Sequence, residues 1–143
     1  MKNWILKLLV VKTIRKKTGE LHFRRFRLFS CYFFSIYIHQ FLLPDEDEHL
    51  HTHPWNFFNM ILKGGYFERL LTNKNIVTKW RRIGYFGYHK SSYAHKIEKV
   101  KPNTISLVIT GKRKSDWGYI TEHGNIQHEE YRKMKRGGMF NVG

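Results

Sequence analysis

His49-Leu50-His51-Thr52-His53-Pro54-Trp55-Asn56-Phe57 follows four consecutive carboxylates, Asp45, Glu46, Asp47 and Glu48, and leads into the apolar run 57–62. In a strand, side chains two residues apart share a face, with their Cα atoms roughly 6.5 to 7 Å apart. Read as a strand, the segment sends His49, His51 and His53 to one side. Two such imidazoles can converge on one ion at about 2.0 to 2.1 Å, whereas a helix would turn them to different sides. Pro54 supports the strand, because its ring disfavours helical geometry at His53. A lone His-x-His is more often a pair of exposed loop histidines. Here the pair opens directly onto an apolar strand, and His95, in a second candidate strand, offers a third ligand. The acidic run raises the negative potential near a cation, although its expected role is solubility.

Outward from this segment, the chain reads as short strands rich in aromatic and β-branched residues. Candidates are 21–29, 32–42, 55–62, 66–71, 75–80, 82–88, 93–98, 104–110 and 117–121. Turn chemistry separates them at Lys17-Thr18-Gly19-Glu20, Lys63-Gly64-Gly65, Thr72-Asn73-Lys74-Asn75 and Lys101-Pro102-Asn103. Strands at this spacing predict an all-β fold, a closed or double-sheet antiparallel barrel or jelly roll. Helix is expected only near 3–16 and 127–136. One domain fits the length of 143 residues, divided as a basic N-terminal segment over 1–18, the barrel over 19–136 and a flexible end over 137–143.

Lys and Arg number 26 against 11 Asp and Glu, a formal charge of +15. Aromatic residues make up 16% of the chain, which excludes a disordered basic tail. The single cysteine, Cys31, excludes an internal disulfide framework and a thiolate zinc cluster. It fits a reducing, cytoplasmic setting. No apolar stretch reaches the ~18 residues of a spanning helix, and 4–11, interrupted by Lys7 and followed by basic residues, does not read as an export signal. Basic strips at Arg24-Arg25-Phe26-Arg27, Trp80-Arg81-Arg82 and Lys112-Arg113-Lys114 interleave cations with aromatics, as a single-strand nucleic-acid groove does. Arg81, Arg82, Lys112 and Arg113 are the anion-binding candidates, with salt-sensitive binding of a polyanion as the expected behaviour. In the first strip Phe23, Phe26 and Leu28 are expected inside, with Arg25 and Arg27 pointing outward.

The run from His49 to Phe57, followed by Ile61-Leu62-Lys63-Gly64-Gly65-Tyr66-Phe67-Glu68, resembles the small single-domain cupins of phage and bacteria. Gly19-Glu20-Leu21-His22-Phe23, the stretch 104–112 and Asp116-Trp117-Gly118-Tyr119 resemble the same group, so the likeness runs from about residue 19 to residue 131. Against the first cupin motif, His51 and His53 fit the histidine pair and Gly64 the glycine, but Phe57 stands where a Glu belongs. Against the second, Gly84 and His95 fit, while Lys90, Ser92 and Lys99 replace the Pro, Gly and Asn. The resemblance implies a cupin-type double-stranded β-helix with His51, His53 and His95 holding a divalent metal. The usual carboxylate ligand is missing from its place, which leaves His49, Glu68 or Asn56 as a fourth.

An all-nitrogen site accepts Fe, Mn, Zn or Ni. The expected function is a metal-dependent enzyme, oxygenase-like or isomerase-like, on a small and preferably anionic substrate. The competing reading is a non-catalytic basic module for nucleic acid or another anionic partner. A third, a metal-free sugar-nucleotide epimerase, requires a histidine held by a carboxylate, and spacing assigns no such dyad. Edge-strand pairing into a homodimer is a further expectation from the fold. Trp55, Tyr66, Tyr85, Tyr88 and Tyr93 read as barrel filling. His22, His39, His89, His123 and His128 read as surface or outer residues, with His89 nearest the site.

Overall fold

In the computed structural model, residues 10–15, 19–45 and 47–139 are described. Their strands are β1 (Val10–Arg15), β2 (Leu21–Ser30), β3 (Ser35–Phe41), β4 (Leu50–His51), β5 (Trp55–Lys63), β6 (Gly65–Thr72), β7 (Asn75–Arg82), β8 (Phe86–His89), β9 (His95–Val100), β10 (Thr104–Arg113), β11 (Gly118–Thr121) and β12 (Gly124–Gln127), followed by helix α1 (His128–Arg136). They form two six-stranded sheets in the orders β1-β2-β3-β10-β5-β8 and β12-β11-β4-β9-β6-β7. Every strand pairing is antiparallel. The jelly-roll expectation holds.

Side-chain alternation makes the faces. Thr104, Ser106, Val108 and Thr110 of β10 are buried, as are Phe57, Asn59 and Ile61 of β5, Tyr66, Glu68 and Leu70 of β6, and His95 and Ile97 of β9. Ile61, Tyr66 and Ile97 form the apolar core, flanked by Phe41, Tyr85 and Val100. Replacing a side chain as enclosed as Ile61 with Ala costs about 2 to 5 kcal/mol. The turn between β5 and β6 places Gly64 at φ +77° against Thr104, a conformation that disfavours any side chain. Thr104 Oγ1 accepts from the Gly65 N–H at 3.0 Å and donates to the Lys101 carbonyl at 2.6 Å. Asn73 and Lys74 both have positive φ in the two-residue turn from β6 to β7, the geometry that matches strand twist in a tight hairpin.

A second cluster joins Tyr119, Ile126 and Tyr131, with Trp117 and Met134 packed on it. Tyr131 of α1 stacks on Tyr119 with ring centroids 3.8 Å apart and an 18° interplanar angle. Glu129 and Glu130 in the first turn of α1, with Lys133, Lys135 and Arg136 in the last, match the helix dipole.

All nine expected strands are present, with shifted ends. Three elements differ from expectation. Residues 10–15 are strand β1, paired with β2, where a helix over 3–16 was expected; residues 3–9 of that expectation lie outside the described residues. The first sheet therefore begins upstream of residue 19. β12 was not expected, and β4 covers only Leu50–His51 of the segment read as a strand around the histidines; each is fixed by its neighbours and not by a pattern of its own. Helix α1 matches the expectation for 127–136. No helix among the described residues is long and apolar enough to cross a membrane.

Candidate metal centre

β4 holds only Leu50 and His51, and lies between β9 and β11. His51 is directly paired with His95 across one side and with Tyr119 across the other. Just after β4, the Thr52 N–H donates to the Gly118 carbonyl at 2.9 Å and the His53 N–H to the Ser91 carbonyl at 3.0 Å. The backbone at both histidines is thus pinned. His51, His53 and His95 each point a ring nitrogen at the others, all three within 4.8 Å. Two ligands about 2.1 Å from one ion span at most about 4.2 Å, so the cluster lies within a small side-chain rotation of chelating geometry. His53 Nε2 and His95 Nε2 are 2.8 Å apart.

Glu68 acts from behind. His95 Nδ1 and Glu68 Oε1 are 2.6 Å apart, and Arg81 Nε donates to Glu68 Oε2 at 2.7 Å. Burial alone would raise the Glu68 carboxyl, but the hydrogen bond and charge of His95, then Arg81, outweigh it and hold the group at about 2. A carboxylate only accepts, so His95 carries a proton on Nδ1 and turns Nε2 toward the cluster. The Arg81 guanidinium lies 4.2 Å from the Tyr85 ring centroid, which braces the chain of contacts from outside. Burial lowers His51 to about 4, helped by the charge of His95. Burial also lowers His53 far below the ordinary value, followed by the charges of His95, His51 and Arg25. Both are neutral at pH 7, as imidazole ligands must be.

The three histidines singled out from the sequence come together, while the fourth-ligand candidates stand elsewhere. His49 faces α1, with Nδ1 2.9 Å from the Tyr131 hydroxyl and Nε2 3.1 Å from Glu122. Its strand-face parity with His51 fails because β4 starts at Leu50. Glu68 takes the far nitrogen of His95 instead of joining the ligand cluster. Asn56 donates to the Tyr88 hydroxyl and accepts from the Ser91 N–H, both at 2.9 Å. Phe57 is buried with its ring 4.6 Å from that of His53, filling space where a carboxylate would chelate. His89 stacks on Tyr93 at 4.1 Å.

The basic candidates also separate. Arg81 is committed to Glu68, and Arg113 pairs with Asp116 at 2.8 Å on the surface. Lys112 Nζ lies 3.8 Å from the Tyr32 ring centroid, and Arg82 is exposed. Within the acidic run, Asp45 and Asp47 have structural work beyond the expected solubility role. Asp45 accepts from the Ile97 N–H at 2.8 Å, and Asp47 accepts from the Tyr119 hydroxyl at 2.8 Å and from Lys135 of α1.

The histidines open into a cavity of about 290 Å³ between the sheets. Arg25, expected outward, lines it, as do His22 and His39, which read as surface or outer residues. The sequence held the signal for Arg25, since it shares strand parity with buried Phe23, whereas Phe26 has the opposite parity. Leu28, expected inside, is 52% exposed.

No protein-family model matches the chain, and no curated protein matches it in sequence. Solved structures do. HppE, in a structure with Fe(II) and an alternative substrate, aligns over 71% of this chain at 14% identity and a TM-score of 0.53; the alignment spans 54% of HppE, about half its length. KdgF from a Halomonas species aligns over 72% of this chain and 89% of its own, at 10% identity and a TM-score of 0.54. With two facing antiparallel sheets, that likeness decides the architecture. The fold is that of a cupin. A cupin domain from Bordetella pertussis also matches, over 64% of this chain at 14% identity and a TM-score of 0.49. A cupin barrel serves many functions, so activity must be argued from the site.

Proposed function

We propose that this chain is a divalent-metal-dependent enzyme that acts on a small molecule in the cavity between its sheets, with His51, His53 and His95 as the metal ligands. The observation that carries the reading is the convergence of three ring nitrogens, one of them set in its metal-binding tautomer by a buried carboxylate. Similar folds point the same way, since HppE is described with Fe(II) and with Co(II). A divalent ion held here supplies Lewis acidity and, if redox-active, electrons for a co-substrate.

The protein's own groups do the rest. Glu68 keeps the proton on His95 Nδ1, and Arg81 keeps Glu68 ionised and in place. Phe57 closes one side of the cluster to water and denies it a fourth protein ligand. Three neutral ligands leave the charge of the ion uncancelled, which favours a substrate that brings negative charge. The Glu68–His95 pair is also the dyad that a metal-free epimerase would use as a base. The metal reading is preferred because His51 and His53 crowd the very nitrogen that such a base would need free.

Metal analysis of untagged protein tests this. We expect about one divalent ion per chain, lost in a His51→Ala/His95→Ala double variant that still folds. Metal content that is unchanged in that variant, or absent from the folded parent after growth with supplied metals, overturns the reading.

A further inference from the structure

Opposite the histidines, the inner face of the first sheet carries an unusual row. Lys12 is paired with Arg25, Arg25 with His39, and His39 with Ser106, so the four occupy consecutive cross-strand positions on β1, β2, β3 and β10. All four line the cavity. We propose that this row is an oxyanion subsite, which binds the carboxylate or phosphate group of a small molecule whose other end reaches the histidine cluster. The inference rests on the metal reading only for that other end.

Arg25 is held in place and left unanswered. Its Nε donates to His39 Nε2 at 3.0 Å, and its guanidinium lies 5.1 Å from the Tyr37 ring centroid and 5.9 Å from that of Phe23. That arrangement fixes the plane of the fork and leaves the terminal N–H groups for another acceptor. Among the described residues, no ion pair uses Lys12 or Arg25. Asp45, the carboxylate that lines the cavity, is spent on the Ile97 N–H.

His39 adds no positive charge, because burial and then Arg25 and Lys12 hold it far below its ordinary basicity. It therefore orients Arg25 as an acceptor. Two further polar atoms at this cavity lack partners: Ser106 Oγ and Asn59 Oδ1 are buried without a hydrogen bond. Two uncompensated cations on neighbouring strands match an anion with several oxygens, which can accept from the guanidinium fork and the ammonium together, while Ser106, two strands from Arg25, offers a hydroxyl to the rest of the ligand. The cavity, about 290 Å³, lies at the lower end of the ~300 to 1,000 Å³ typical of ligand sites. It suits a short organic acid or a small phosphate ester and excludes a nucleic-acid strand from this row.

The test follows the Arg25 Nε–H signal by NMR while untagged protein is titrated with orthophosphate, with acetate, or with chloride at matched ionic strength. Metal content is measured on the same sample. We expect a saturable shift with phosphate or acetate and none with chloride; the tighter probe separates a phosphate site from a carboxylate site. By calorimetry, Arg25→Gln should weaken that binding about tenfold or more, Arg25→Lys by less, and Lys12→Gln by several-fold. Should Arg25→Gln fail to fold, the other two variants and the parent signal decide. No saturable shift with either oxyanion, or unchanged affinity in the Arg25 and Lys12 variants, overturns the subsite. Metal without an oxyanion shift defeats this inference alone, and an oxyanion shift in metal-free protein defeats the metal reading alone.

Discussion

The two inner faces of the barrel treat charge in opposite ways. On the second sheet and the loop feeding it, the carboxylates near the site are each answered: buried Glu68 by His95 and Arg81, half-buried Asp47 by Tyr119 and Lys135, and half-buried Asp45 by a backbone N–H. On the first sheet, Arg25 and Lys12 face the same cavity with no carboxylate partner among the described residues. A closed network positions its members. An open one costs free energy that a ligand can recover.

Charge removal should separate the two faces most strongly. Arg81→Leu strips a cation from a carboxylate that is almost fully enclosed, and should cost about 3 kcal/mol in chemical denaturation. Arg25→Leu should change stability by no more than about 1 kcal/mol, because losing the bond to His39 is offset by removing a charge that burial already disfavours. Equal losses in both variants would erase the contrast.

Glu68→Gln comes next. It keeps an acceptor for His95 Nδ1 and removes the charge behind it, so metal affinity should fall about 10-fold to 100-fold in chelator competition. A fold-stability loss with unchanged affinity would make Glu68 purely architectural.

The smallest effect concerns Asp47. Burial would raise its carboxyl, but hydrogen bonds from Lys135 and Tyr119 hold it below the ordinary value. Its contribution is therefore complete above the unfolded pKa of about 4 and fades as pH falls through the lower folded value. Amide exchange of α1 should accelerate over that acidic range, by about 1 kcal/mol of protection, and Asp47→Asn should show the faster exchange already at neutral pH. A flat pH response in the parent would remove Asp47 from the clamp on α1.

Much of this was legible in the sequence, for identifiable reasons. Strands such as β5, β6, β9 and β10 announce themselves because apolar or β-branched residues recur on their inner face at period two. His51, His53 and His95 were readable as a set from the His-x-His spacing and a downstream histidine; the structure brings His51 and His95 together by strand pairing and His53 by the backbone bond to Ser91 just past β4. Arg25 escapes a reading that takes apolarity as the mark of the interior, because this interior is a cavity whose largely apolar wall also carries charged and polar groups. The role of Glu68 depends on the register of β6 against β9, which slips between Phe67 and Glu68, and no local pattern encodes such a slip. His49 was misjudged for a related reason, since parity predicts a face only within a strand, and β4 is two residues long.

That brevity has a thermodynamic consequence. β4 joins the halves of the second sheet through one residue pair to β9 and two to β11, so the sheet is thinnest where two of the three histidines meet. On the proposed reading, an ion there acts as a stitch across the seam. Saturating it at 1,000 times its dissociation constant would add about 4 kcal/mol. A chelator should then first loosen the amides of β4 and β11, while the distant core around Ile61 stays protected.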